Sequence, residues 1–330
     1  MHDLQRYLVE EFAEEYQTGR MSRRDMLRRV LLMTGSVAIT ASALSGLGVR
    51  SKRTEAAAPQ RPVRPERSSS TVPLGPLRPD ENGTAPPPAQ TSDNVVDPHD
   101  PAIVAGRVSF GGAAGDVLGY LAQPADDGIH PGIVVVHENR GLVEPNMDIT
   151  RRYAKEGYAA LAVDLISRLG GTDRFAEDPA QIPGFLGRAN PDDLVSDLLA
   201  GLDFLSGLPA VDPLRLGLTS FCFGGGLGWR TATVAPFLKA VVPYYGSNPP
   251  LDRVPNIGAA VLGIYAELDT RTTSASDALY AALDTTGVTH DRWIAPGAAH
   301  AFFNNTGSAY NPAAAMEAWN RTLAWFAAYL

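Results

Sequence analysis

The chain has 330 residues, with 36 Asp and Glu against 28 Lys and Arg and a formal net charge of -8. That balance, with no clustered basic face in the last two thirds, argues against a nucleic-acid partner. One cysteine excludes an intrachain disulfide framework, and the absence of paired Cys or His ligands at metal spacing excludes a zinc site of the common kinds.

At the start, Leu4, Leu8, Phe12 and Tyr16 recur at helical spacing among acidic residues, which predicts an amphipathic helix. Its purpose is not legible from the residues. Next comes Ser22-Arg23-Arg24-Asp25-Met26-Leu27-Arg28, followed by a moderately apolar run over 30–44. Paired arginines before such a run resemble a bacterial twin-arginine signal, an address read by the export machinery and not a fold element. The implied location is extracytoplasmic, with cleavage after Ala43 or Ala58, or a membrane tether through residues 30–49 if the signal stays uncut. Residues 50–100 are rich in Pro, Ser, Thr and Ala without apolar periodicity and are expected to be a disordered linker.

The remaining stretch, 101–330, is long enough for one α/β domain. Its apolar runs predict an antiparallel pair at 103–110 and 117–123, then strands at 132–136, 159–165, 214–220, 240–245, 260–266 and 291–294. Helices are expected near 146–156, 191–205 with Asn190 as cap, after residue 222, 274–285 and 312–329. Strands alternating with helices give an α/β class with a mostly parallel central sheet and helices on both faces.

The most informative motif is Ser220-Phe221-Cys222-Phe223-Gly224-Gly225-Gly226, directly after the strand 214–220. Small-x-nucleophile-x-Gly at a strand-to-helix turn is a nucleophile elbow of the α/β-hydrolase fold, here with sulfur for oxygen. Small neighbours are needed because the nucleophile sits in a strained conformation. The bland alternative is a buried free cysteine behaving as a small hydrophobe. Downstream, Asp269 follows the strand 260–266, and His300 lies in the tight loop Pro296-Gly297-Ala298-Ala299-His300-Ala301-Phe302. The chain order nucleophile, acid, histidine fits a triad in which His300 is base and acid and Asp269 fixes its tautomer. Asp269 could alternatively cap a helix, Glu267 is its near competitor, and His300 alone could be an ordinary loop histidine.

With the elbow, His137-Glu138-Asn139-Arg140-Gly141-Leu142, Val163-Asp164-Leu165-Ile166-Ser167-Arg168, Val242-Pro243-Tyr244-Tyr245-Gly246 and the histidine loop, the chain resembles the dienelactone hydrolase family from about residue 102 to its end. The resemblance implies a Cys222-Asp269-His300 triad and a cofactor-independent, carboxymethylenebutenolidase-like hydrolysis of small esters or lactones. It further implies that Glu138 lies beside the thiol and helps switch it to thiolate, with an oxyanion hole from the backbone N–H groups of Phe223 and Asn139. Glu138 could instead pair with Arg140 or Arg151, and His137, facing the other way, reads as structural. Arg168 matches an arginine that the family uses on the substrate carboxylate, and Tyr245 falls in a matching stretch. Asn304 stands where a second arginine is expected, which puts the dienelactone substrate itself in question. A broad carboxylesterase or thioesterase, and a silent binding domain on the same fold, are the alternatives.

Overall fold

In the computed structural model, the described residues are 1–49 and 95–330; most of the expected linker, and the cleavage position after Ala58, lie outside them. Three helices come first, α1 (Asp3–Gln17), α2 (Arg23–Thr34) and α3 (Val37–Gly46). Strands β1 (Ile103–Gly112), β2 (Gly115–Pro124) and β3 (His130–Val136) precede α4 (Glu144–Lys155) and β4 (Ala159–Val163). A short α5 (Ile182–Arg188), α6 (Pro191–Ser206), β5 (Val211–Phe221) and α7 (Phe223–Ala232) follow. The chain closes with β6 (Ala240–Tyr244), β7 (Ala260–Ala266), α8 (Thr270–Leu283), β8 (His290–Ala295) and α9 (Pro312–Tyr329).

All eight strands form one sheet in the order β1-β2-β4-β3-β5-β6-β7-β8. The first hairpin and the β2–β4 pair are antiparallel, and every other pair is parallel. Ile133 to Val136 and all of β4, β6 and β7 are buried, as strands covered on both faces must be. Tyr153 of α4 packs on Trp319 and Phe326 of α9, which places those helices on one face. Trp229 of α7 meets Tyr280 of α8 on the other. This is the α/β-hydrolase architecture.

The expected elements of the domain recur within a few residues, Asn190 included, whose side chain accepts from the Asp192 N–H. Helix α8 starts at Thr270, four residues before the sequence pattern suggested, because Asp269 caps it. The unforeseen feature is the N-terminal segment. Leu4, Leu8, Phe12, Met26, Val30 and Met33 are all buried, so this segment is folded onto the α/β domain. Within it, Gly35 adopts a left-handed φ of 66° and turns α3 away from α2 by 118°. No single described helix is long and apolar enough to cross a membrane, although that bent pair reaches the length and composition together.

Candidate active site

Strand β5 delivers Cys222 into a backbone conformation of φ 56° and ψ -120°, a region costly for a side chain-bearing residue. The turn survives because its neighbours are glycine. A Cβ on Gly225 would come within 2.5 Å of the Tyr244 carbonyl oxygen, and one on Gly224 would collide with the His137 carbonyl. Ser220, the small residue before the nucleophile, is fully buried under Gly228. Immediately past the thiol the chain enters α7, whose first N–H, that of Phe223, points at Sγ.

The loop after β8 brings His300 to the same place. Its Nδ1–H donates to Asp269 Oδ2 at 2.6 Å. Asp269 also accepts from the Thr272 hydroxyl at 2.5 Å and from the Thr272 backbone N–H at 3.3 Å. It is therefore both helix cap and partner of the histidine. Burial works against its charge, but His300 and Arg271 overcome that and hold the carboxyl well below the usual carboxylate range. Burial likewise disfavours the charged imidazole, yet Asp269 raises the His300 pKa above its ordinary value. Glu267 is spoken for elsewhere, accepting from the Gly297 N–H at 2.6 Å.

Glu138 is half-buried just past the end of β3, and the desolvation of its carboxyl raises its pKa. Neither Arg140 nor Arg151 is its hydrogen-bond partner; Asn304 Nδ2 donates to it at 2.8 Å, while Arg151 pairs with Glu144 and Asp148. Asn304 is thus brought to the site as the holder of a carboxylate. His137 is structural, accepting at Nε2 from the Leu165 N–H at 3.1 Å and so tying the ends of β3 and β4 together. The ring of Tyr245 lies 4.9 Å from that of His300. Arg168 is not at the site. Its guanidinium forks onto Asp197, with both bonds at 2.9 Å, because a buried carboxylate on α6 offers a bidentate partner.

The residues that sequence reasoning missed come from α1. Both carboxylate oxygens of Glu11 lie 3.5 Å from Cys222 Sγ, accepting from the thiol. Asn139 Nδ2 donates to the same carboxylate at 2.9 Å. The Tyr7 hydroxyl lies 3.7 Å from Sγ, 3.3 Å from the Tyr245 carbonyl oxygen and 3.4 Å from His300 Nε2. Above the Tyr7 ring, 4.2 Å from its centroid, is the Arg271 guanidinium. Burial pushes the Cys222 thiol far up, and the charges of Glu11 and Glu138 push it further. Burial also drives Glu11 up to about 7. The signal was available in register: Leu4, Tyr7, Leu8 and Glu11 share one helical face.

Beside the thiol opens a cavity of about 610 Å³, walled by Glu14, Arg20 and Arg29 of the N-terminal segment and by Glu138, Asn139 and Asn304 of the domain. Glu11, Cys222 and His300 have ligand atoms within 4.8 Å of one another, and among the described residues they are the one group of three with the donors to surround a metal ion. Two of the three, Cys222 and His300, are a nucleophile and a base in one place.

The model of the dienelactone hydrolase family matches residues 117–330. A Salmonella typhi protein bearing the name carboxymethylenebutenolidase is 35% identical over 263 residues, spanning 75% of this chain and 96% of its own. An Escherichia coli K12 protein of the same name is 33% identical over the same length and shares. Among solved structures, a dienelactone hydrolase assignment from Klebsiella pneumoniae matches at 31% identity and a TM-score of 0.64, covering 69% of this chain and all of that one. One from Anabaena variabilis, at 21% identity and TM-score 0.54, covers 69% and 99% and speaks to the fold alone.

Proposed function

The chain belongs to the dienelactone hydrolase family and is a hydrolase of carboxylic ester or lactone bonds, and from that premise we propose that it works through a thiol triad of Cys222, His300 and Asp269. The observation that carries this reading is the elbow: a cysteine at φ 56° heading a helix, beside a histidine locked at 2.6 Å to a buried aspartate. In the proposed sequence His300 Nε2 takes the thiol proton and sulfur attacks the ester carbonyl carbon. The developing oxyanion turns to the backbone N–H of Phe223 and of Asn139. His300 then returns the proton to the departing oxygen, leaving an acyl thioester. Water, deprotonated by the same histidine, attacks the thioester and releases the acid and the thiol. Asp269 fixes the imidazole tautomer throughout and stabilises its cation. The proposed steps use side chains and backbone alone.

Arg168 is committed to Asp197, and Asn304 to Glu138. That pair offers a substrate carboxylate no guanidinium, which favours small esters and lactones in general over an anionic dienelactone. Export belongs to the same proposal, on the strength of Arg23 and Arg24, both exposed at the start of α2, ahead of the apolar run.

A panel of small lactones and aryl esters tests the reading. Cys222→Ala should lose hydrolysis while melting like the parent, and iodoacetamide should inactivate the parent in step with one modified site. Turnover by Cys222→Ala near the parent rate would overturn the nucleophile.

A further inference from the structure

We propose that α1 is an internal occupant of the substrate site, which keeps the full-length chain at rest until the leader is displaced. This rests on the hydrolase reading of the same site and adds its regulation.

The argument is positional. A substrate must present three things here: a carbonyl carbon to the sulfur, an oxygen to the N–H groups around Phe223 and Asn139, and a leaving oxygen to His300 Nε2. The first and the last of these places are taken by side chains of α1. The Glu11 carboxyl group faces Sγ with both oxygens at 3.5 Å and receives the Asn139 side chain at 2.9 Å, which is where an acyl group would lie. The Tyr7 hydroxyl stands 3.4 Å from His300 Nε2 and 3.7 Å from Sγ, which is where a leaving oxygen would lie. A phenolic hydroxyl so placed stands between base and nucleophile and fills the position that a substrate's leaving oxygen needs. Cys222 and His300 are consequently 3% and 6% exposed.

The occupant is held by more than these two groups. Leu4, Leu8 and Phe12 are buried along the same face, Asp3 is paired with Arg230, and Glu14 lies 3.6 Å from Arg271. Behind α1, α2 is anchored by Arg28 on Asp178 at 2.6 Å. Covalent attachment adds an effective concentration that a free peptide lacks. Cleavage after Ala43 would remove that advantage, and so would engagement of the leader by an export receptor. Cleavage would open the site only once the chain has crossed, whereas receptor engagement would open it during export.

The test uses the full-length chain. Leu8→Asp with Phe12→Asp places two carboxylates in the buried face of α1, and Tyr7→Phe removes only the hydroxyl. The readouts are the rate of Cys222 alkylation by iodoacetamide, followed by mass, and hydrolysis of a small aryl acetate. If α1 is docked in more than nine chains of ten, releasing it should raise alkylation at least about tenfold, and Tyr7→Phe should raise it by a smaller factor. Alkylation that stays level or falls in both variants would overturn the occupant. Should the double variant fail to melt cooperatively, Tyr7→Phe decides alone. Faster alkylation without hydrolysis would leave the occupant standing and remove the hydrolase reading; unchanged alkylation with intact hydrolysis would do the reverse.

Discussion

At the scale of residues, Asp269 holds two offices that a well-chosen substitution can separate. Asparagine still caps a helix but cannot hold the imidazole tautomer as aspartate does, so Asp269→Asn should keep the parent melting temperature while turnover falls roughly 10³- to 10⁴-fold. Equal losses of stability and turnover would reduce Asp269 to its capping role. Glu11 makes a pH-dependent prediction. Its pKa rises from 4.5 to about 7 on burial, so the folded chain keeps a proton that the unfolded chain has released. Its contribution to stability is therefore fully present below about pH 4.5 and lost as pH climbs through about 7. Glutamine mimics the protonated form: melting curves of Glu11→Gln should match the parent at pH 4.5 and lie above it at pH 8. A constant gap across that range would show that Glu11 is not buried against its charge. The positions of Cys222, Asp269 and His300 were legible because three strands end there and motif order is local. Arg168 was misplaced because its partner, Asp197, lies 29 residues away on another helix, and no local pattern announces such a pairing.

Among the elements, the nucleophile turn is the most constrained. Gly225→Ala would drive a methyl group into the Tyr244 carbonyl and the Gly246 backbone, neither of which can rotate away, and should cost about 2 kcal/mol or more. Gly111→Ala, on an open strand position with nothing within 4 Å, should stay within about 0.5 kcal/mol. Denaturant midpoints of the two variants check the contrast. The strands of the domain were readable from sequence since fully apolar runs such as Ile133 to Val136 have few other uses. Helix α5 was not, because Pro183, Gly184 and Gly187 dilute its pattern and its partner is α2, distant in the chain. Helix α1 was visible as an amphipathic helix, but what its apolar face covers depends on contacts more than two hundred residues away.

For the whole molecule, the proposed export signal implies two engagements of the N-terminal segment that cannot be simultaneous. A twin-arginine receptor would have to meet Arg23, Arg24 and the run beyond them, whereas in the folded chain Val30 and Met33 are buried, Met33 against Gly187 of α5. Changing both arginines to lysine should trap precursor in the cytoplasm without disturbing docking, since both side chains are exposed; fractionation that finds the variant exported like the parent would show that this segment is not a twin-arginine signal. The N-terminal segment also packs closely on three glycines of the domain. A Cβ on Gly184 would lie 2.8 Å from Leu32 Cβ, one on Gly187 would lie 2.6 Å from Met33 Sδ, and one on Gly226 would meet Leu4 at 3.0 Å. Glycine at positions 184 and 187 leaves room for a segment that belongs to no part of the sheet. Descent should have recorded that fit: relatives that carry such a leader ought to keep both glycines, and lineages that have shed it are free to fill the two hollows with larger side chains.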